Sequence, residues 1–269
     1  MSETMVLRSR IKRHMPSAAL FAYRLIHQGR LTDIFSTVRF LISSLSSVSL
    51  KERFDILQQI YAISASMDCA HTQDEMLSFI RTILAIPKEV KGCIVEAGCF
   101  KGGSTAKFSL AAAKVHRKLV VFDSFAGLPD NTEAHTTTIF GERPDFSMGK
   151  YGGTLQEVVQ NVRRYGKADS CQFIEGWFEQ TMPEFSDSIA AIYLDVDLVS
   201  STKTCLKYLY PRLQPGGFVY SQDAHLPLII ELLKDERFWR EELGSPMPQI
   251  EGLGQQKLVR IRKPFGRQL

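Results

Sequence analysis

A chain of 269 residues with 44% hydrophobic and 23% charged side chains has the makeup of one large folded domain, or one domain with an extension, and excludes a disordered polypeptide. The net charge is +4, and the aromatic residues are not interleaved with a basic stripe, which argues against a nucleic-acid binder. Five cysteines, an odd number without CxxC spacing, exclude a disulfide framework or a zinc site as the organising feature.

The basic excess sits at the front, where Arg8, Arg10, Lys12, Arg13, Arg24 and Arg30 face a single acid, Glu3. This segment reads as a solvated arm or a helix packing on a partner, with contact to an anionic surface as the sharper alternative. It lacks a compact apolar stretch followed by a small-residue cleavage site, so a reducing cytoplasm is the expected compartment. No uncharged apolar run approaches the ~20 residues that span a bilayer, so no transmembrane segment is expected. Residues 17–66 read as helical, with Phe54, Leu57, Ile60 and Tyr61 at helical spacing and the Ser-rich stretch Ser43–Ser49 as a joint. Residues 1–65 thus form a basic helical extension, a candidate homodimer contact, ahead of a domain over 66–269. Thr72-Gln-Asp-Glu75 is a capping box, followed by Met76, Leu77, Ile80, Ile83 and Leu84 at helical spacing until Pro87.

From Cys93 the rhythm changes. Apolar or β-branched runs at 93–97, 119–123, 171–174, 190–195 and 217–221 alternate with helical stretches at 104–115, 154–165 and 201–213. Such alternation predicts a Rossmann-like α/β sheet of mostly parallel strands with helices on both faces. Pro215-Gly216-Gly217 is the turn into the fifth strand, Lys257–Lys263 is a candidate terminal strand, and Cys93 and Cys205 are expected core thiols. Residues 130–150, rich in Thr, Pro and Gly, read as a long loop: a substrate-facing lid or a plain surface loop.

The first strand ends in Val95-Glu-Ala-Gly-Cys-Phe-Lys-Gly-Gly-Ser-Thr105. Glycines let ligand and backbone approach closely, and the following helix offers free N–H groups to an anion. The spacing is not GxGxxG, so the dinucleotide fingerprint is only partly met. The second strand ends in Asp123, a carboxylate suited to both ribose hydroxyls of an adenosine cofactor, or else a turn cap together with Ser124. Loop and acid together favour an adenosine-type cofactor. In a methyl donor the methionine end carries an ammonium, which Glu96 is charged to face, and a carboxylate, for Ser104 and the helix N-terminus.

Four segments in order, VEAGCFKGGST (95–105), VFDSFAGLPD (121–130), FIEGWFEQTMP (173–183) and IYLDVDLVSSTKTCLKYLYPRLQPGGFVYSQD (192–223), resemble the macrocin O-methyltransferase family. The stretch Tyr151–Asn161 is similar as well, whereas the first 60 residues hardly match. The resemblance implies the class I methyltransferase fold, a helical region covering the active site, S-adenosylmethionine as methyl donor and a small-molecule hydroxyl, such as that of an antibiotic sugar, as acceptor. It implies that Glu96, Gly98, Gly102 and Gly103 line the methionine end, that Asp123 binds the ribose, and that Gly176-Trp177-Phe178 border the adenine. Ser66 and Met67 would cap the cofactor, and acids after the fourth and fifth strands would hold Mg²⁺.

Those acids are Asp195 and Asp197 after the fourth strand and Asp223, preceded by Gln222, after the fifth. Ligands bind outside the carboxyl ends of parallel strands, so Asp195 and Asp223 are expected in one cleft beside the donor. Carboxylates forced together need a cation or a shared proton, and hard oxygen ligands suit Mg²⁺ held by Asp195, Gln222 and Asp223. Such an ion would position the acceptor oxygen and lower its pKa. Asp197 is the first candidate for general base and His225 the second. The family commonly has Asp-Asp where this chain has Gln222-Asp223, so the metal site is weakened by one charge.

His71 and His135 read as ordinary polar residues, and Trp177 and Phe178 as core aromatics or stacking partners for the cofactor. The competing readings are a catalytically silent binding protein on the same fold and an NAD-dependent oxidoreductase. The missing GxGxxG and the lack of a Tyr-x-x-x-Lys signature count against the second.

Overall fold

The computed structural model describes residues 31–45 and 48–265. The basic positions Arg8–Arg30 lie outside the described residues, as does the first part of the helical stretch expected from residue 17. Two helices, α1 (Leu31–Ile42) and α2 (Leu50–Ser64), flank the expected joint, and α3 (Gln73–Ala85) follows. Each of the latter two starts at a reciprocal capping box, Ser49 with Glu52 and Thr72 with Glu75, which satisfies amide donors the first helical turn leaves open.

Strands β1 (Cys93–Ala97), β2 (Leu119–Asp123), β3 (Cys171–Glu175), β4 (Ile189–Leu194), β5 (Leu213–Ser221), β6 (Ile250–Glu251) and β7 (Val259–Arg262) form one sheet in the order β3-β2-β1-β4-β5-β7-β6. The first five pair in parallel, and β7 returns antiparallel to β5. Helices α4 (Gly103–Lys114), α5 (Leu155–Tyr165), α6 (Phe178–Thr181), α7 (Val199–Leu209) and α8 (Pro227–Lys234) complete the α-helices of the described residues. This is the doubly wound arrangement that alternating strands and helices predict.

Some boundaries differ from expectation. The helical stretch expected over 201–213 ends at Leu209, because Pro211 has no N–H to continue it and the chain tightens into a 3₁₀ turn over Tyr210–Arg212. The fifth strand begins at Leu213, and Pro215-Gly216-Gly217 is an irregularity within it rather than a turn before it. Helix α8, led by Pro227, and the short β6 were not foreseen.

Period-two alternation along the strands builds two cores. Ile94, Leu119, Val121, Ala191, Tyr193 and Tyr220 face α1–α5, while Val95, Val120, Phe122, Ile192, Leu194 and Val219 face α7 and α8. Both faces are covered, which is why these strands read as unbroken apolar runs. No helix among the described residues is long and apolar enough to cross a membrane.

Phe79 of α3 joins the helical layer to the sheet. Its ring lies 4.8 Å from Phe108 of α4, 5.1 Å from Tyr193 of β4 and 5.2 Å from Tyr220 of β5, centroid to centroid. One turn on, the Thr82 hydroxyl lies 2.7 Å from the Tyr220 hydroxyl. Emptying that junction removes a large buried ring and its edge-to-face contacts. Phe79→Ala is expected to cost about 3–5 kcal/mol in urea unfolding; a loss below about 1 kcal/mol would show that α3 does not depend on this contact.

Candidate active site

The carboxyl ends of β1, β2, β4 and β5 open onto a cleft of about 520 Å³. Of the expected site residues, Gly98, Asp123, Ser124, Gly176, Trp177, Asp195, Asp197, Asp223 and His225 line it. Ser66, Met67, Glu96, Gly102, Gly103, Ser104 and Gln222 do not.

On the β1–β2 side, Asp123 holds the chain together as well as facing the cleft. Its carboxylate accepts hydrogen bonds from the Phe125 and Cys99 amides, each at 2.7 Å, and so ties the β2 exit to the loop after β1. Both readings of Asp123, turn cap and ligand acid, are thus compatible, because a carboxylate has about four acceptor sites and two are used. The glycines after β1 serve chain packing. Gly98 has φ +81°, and a Cβ there would lie 1.9 Å from the Asp195 carbonyl oxygen; Gly102, at φ +83°, would press Val158 of α5 at 3.0 Å. Ser66 donates to the Ala62 carbonyl at 2.8 Å, and Met67 packs against the helical core.

Glu96 is 0% exposed, and neither carboxylate oxygen has a hydrogen-bond partner. Burial raises its pKa to about 8, only partly offset by the nearby Ser104 and Thr105 hydroxyls. An unpartnered buried carboxylate beside the cofactor loop fits a ligand that brings its own positive charge. These residues therefore suit the ammonium-bearing methyl donor.

The β4–β5 side carries the acids. His71 stands immediately before the α3 capping box, and its Nε2 lies 2.8 Å from Asp195 Oδ2. Its Nδ1 is 3.6 Å from Cys69 Sγ, which also receives Lys107 Nζ at 3.3 Å. Lys107 is 0% exposed, and its Nζ finds its partner in the Cys69 sulfur. Positive and negative groups alternate from α4 to the cleft. Burial opposes the charged form of His71, yet Asp195 and Cys69 raise its pKa to about 10. Burial likewise works against the Cys69 thiolate, but His71 and Lys107 bring its pKa down to about 6. Asp195 is raised by burial and pulled below the ordinary carboxylate range by His71. The expectation that His71 is an ordinary polar residue is corrected: it is a cleft residue paired with an acid.

Asp223 accepts the Val196 and Asp197 amides at 2.9 and 3.1 Å through Oδ2, while burial and then Asp195 raise its pKa to about 7. Asp197 opens to the cleft from a left-handed backbone, φ +62°, and burial followed by Asp223 and Asp195 pushes its pKa well above the usual range. Burial and Lys257 press His225 down to about 4. Lys257 lines the same cleft, because β7 runs antiparallel and its entry lies at the carboxyl end of β5.

Gln222 is turned inward. It is 0% exposed, and its Oε1 accepts a hydrogen bond from Tyr193 OH at 2.8 Å, so the oxygen expected to ligate a metal is spent in the core. Of the expected set, Gln222 thus drops out, while Asp195 and Asp223 face the cleft, each with one oxygen engaged, by His71 and by two amides respectively, and one left over. Among the described residues, no group of three His, Cys, Asp or Glu side chains is arranged to hold one.

The long loop helps to wall the cleft through Thr138, Glu142 and Phe146. Glu133 anchors it by accepting the Val199 and Ser200 amides at 2.7 and 2.8 Å, and His135 lies 2.9 Å from the same carboxylate. Trp177 and Phe178 also face the cleft. His71 and Lys257 could be sought in the sequence, one as the residue before a helix N-cap, the other as the start of the expected terminal strand, two residues ahead of β7. Cys69 and Lys107 left no such signal.

A doubly wound sheet, a glycine-bearing loop after β1, an acid after β2 and an acid-lined cleft define an α/β transferase of the adenosine-cofactor class. The comparisons agree. Residues 49–255 match the model of the Macrocin-O-methyltransferase (TylF) family. A 4'-O-methyltransferase of 8-demethyl-8-(2,3-dimethoxy-alpha-L-rhamnosyl)-tetracenomycin-C from Streptomyces olivaceus is 33% identical over 192 residues, 67% of this chain and 70% of that protein. The mycinamicin III 3''-O-methyltransferase of Micromonospora griseorubida is 31% identical over 184 residues, 63% and 69% of the two chains. Among solved structures, the O-methyltransferase NovP aligns with TM-score 0.59 at 23% identity, covering 72% of this chain and 81% of its own. The calicheamicin methyltransferase CalS11 aligns with TM-score 0.56 at 19% identity, covering 88% and 93%. The chain belongs to the macrocin O-methyltransferase family, and it is an S-adenosylmethionine-dependent O-methyltransferase.

Among the cysteines, only Cys69 is paired with cations; burial raises Cys93 and Cys171 to about 12 and Cys99 and Cys205 well above their ordinary value. Iodoacetamide at pH 7 followed by peptide mass spectrometry is therefore expected to label Cys69 first, and Lys107→Met to slow that labelling about tenfold or more. Equal labelling of Cys69 and Cys171 would contradict the charge chain.

Proposed function

We propose that the cleft methylates a hydroxyl of a small natural product, with a deoxysugar hydroxyl as the first candidate, and that the residues divide into a donor half and an acceptor half. The observation that carries this reading is that one cleft joins Gly98, Asp123 and Trp177 to Asp195, Asp197 and Asp223. The relatives, named for hydroxyl methylation in tetracenomycin and mycinamicin compounds, support the acceptor class.

S-Adenosylmethionine, when bound, supplies an electrophilic methyl group on a sulfonium. Asp123 holds the ribose hydroxyls with its remaining acceptor sites, Trp177 borders the adenine, and Glu96 faces the ammonium. Asp197 takes the acceptor's hydroxyl proton. Its raised pKa makes it a stronger base than an exposed aspartate, whereas His225, pressed down to about 4, is a weak one. The wall to which Thr138, Glu142 and Phe146 contribute covers part of the cleft and so limits water, which would otherwise compete for the methyl group. Asp195 and Asp223, which keep free oxygens in the cleft, would hold a divalent ion, which would orient the acceptor oxygen and lower its pKa.

Titration calorimetry with S-adenosylhomocysteine tests the donor half. Asp123→Asn and Asp123→Ala are expected to weaken binding about 10- to 100-fold, the loss of charged hydrogen bonds worth about 1.5–3 kcal/mol, and NAD is expected not to bind. Wild-type protein that binds NAD and not S-adenosylhomocysteine would overturn the reading. Tight S-adenosylhomocysteine binding with no methyl transfer to any glycosylated acceptor would instead favour a silent binding protein.

The same titration has an expected pH dependence. Glu96 must lose its proton to face an ammonium, and in the free protein it does so at about 8. Affinity should therefore rise between pH 6 and pH 8 and then level, and Glu96→Gln should flatten the profile. A flat wild-type profile would remove Glu96 from the donor site.

A further inference from the structure

We propose that Cys69 and Lys107 form a redox modification site, in which peroxide oxidises the Cys69 sulfur and the Lys107 amine captures it as a reversible sulfur–nitrogen cross-link. The link would join the 65–72 connector between α2 and α3 to the middle of α4. Neither residue lines the cleft, so the site is separate from the donor and acceptor halves.

Lys107 is 0% exposed, and its Nζ lies 3.3 Å from Cys69 Sγ, its hydrogen-bond partner among the described residues. An ammonium carries three donors and a cysteine sulfur is a weak acceptor. On stability alone, that is a costly way to bury a polar group in a helix otherwise built of small and apolar residues around it. What the pairing does supply is reach: 3.3 Å falls within the roughly 3–3.5 Å that separates reacting atoms in a near-attack arrangement. Packing holds the two there. One turn before Lys107, a Cβ at Gly103 would lie 3.3 Å from the Asp68 carbonyl oxygen and 3.9 Å from Cys69 Sγ, so the connector rests directly on α4. Asp68 also meets Lys101 at 3.7 Å.

The two sides of the sulfur differ. Cys69 is part-exposed between the exposed Asp68 and Ala70, which gives a small peroxide a path from solvent, while the amine sits on the interior side. The sulfur attacks one peroxide oxygen: the S–O bond forms, the O–O bond breaks, and the departing hydroxide takes a proton from the pair and leaves as water. The Lys107 nitrogen lone pair then attacks the sulfenic sulfur: the S–N bond forms, the S–O bond breaks, and the second hydroxide leaves as water with a second proton. One thiol, one amine and one hydrogen peroxide thus give one sulfenamide and two waters, the sulfur losing two electrons and the peroxide gaining them. Sulfenic acids condense with backbone nitrogen in this way, and an amine is the stronger nucleophile. Two thiols reverse it, returning Cys69 and Lys107 and becoming a disulfide, so the link keeps Cys69 from the irreversible sulfinic acid. The other cysteines lack the arrangement. Cys93, Cys99 and Cys205 are buried, and the part-exposed Cys171 has its Sγ 3.6 Å from the Lys167 carbonyl oxygen rather than an amine.

The test treats the reduced full chain with a few equivalents of hydrogen peroxide, then catalase, then trypsin without reductant, and reads the peptides by mass spectrometry. Wild type is expected to yield peptide 54–81 joined to peptide 102–114, uncleaved at Lys107 and lighter by two hydrogens than the two together. Dithiothreitol should separate them. Lys107→Arg, which keeps the charge on a far weaker nucleophile, and Lys107→Met should give no joined peptide and carry Cys69 on to sulfinic acid under the same treatment. Wild type with Cys69 unmodified, or found only as sulfinic acid, would overturn the proposal. So would oxidation of Cys171 ahead of Cys69, or a wild-type link from Cys69 to another cysteine. The joined peptide is read in wild type, so the outcome does not depend on whether a variant folds.

Discussion

The hydrogen bond between His71 and Asp195 is the point at which the helical layer and the catalytic edge of the sheet become one structure. His71 is fixed by the start of α3, whose capping box sets where the helix begins. Asp195 is fixed by the end of β4, where the Gly98 conformation lets the neighbouring loop pass against its carbonyl. Neither residue could be moved without the other losing its partner, and a buried charge left unpaired costs about 3–5 kcal/mol. Phe79, two turns along the same helix, carries this coupling into the aromatic core through Phe108, Tyr193 and Tyr220. Tyr193 then reaches Gln222, so the core that steadies α3 also determines where the residue before Asp223 points.

Charge organisation follows from that frame. The chain Lys107, Cys69, His71, Asp195 links the interior of α4 to the cleft wall, and Lys257 lines the cleft just ahead of the antiparallel return strand. Between them lie the raised carboxyls of Asp197 and Asp223. The donor half has the opposite problem. Glu96 is buried without a cation of its own, and that imbalance is what a ligand with a positive end resolves. A site that supplies cations on one side and asks for one on the other suits a transfer between a positively charged donor and an oxygen that becomes negative.

The sheet was legible in the sequence because buried parallel strands read as apolar runs, and the runs at 93–97 and 119–123 coincide with β1 and β2. The carboxyl-end position of Asp123, Asp195, Asp197 and Asp223 followed from strand direction alone. What stayed hidden depended on side-chain direction and long-range pairing. Gln222 and Asp223 are adjacent just past the end of β5, and one side chain turns into the core while the other faces the cleft. His71 meets its partner 124 positions away, across an interface whose packing no local pattern reports. The glycines after β1 were visible as a motif, but the groups their missing Cβ atoms accommodate, Asp195 and Val158, belong to other elements.

The most direct measurement is a crystal structure of the protein with S-adenosylhomocysteine. The ligand is expected in the cleft between β1 and β4, its ribose on Asp123 and its ammonium on Glu96, with the sulfur turned toward Asp195 and Asp197. A ligand bound with its ammonium away from Glu96, or with its sulfur remote from those acids, would contradict the division of the cleft into donor and acceptor halves.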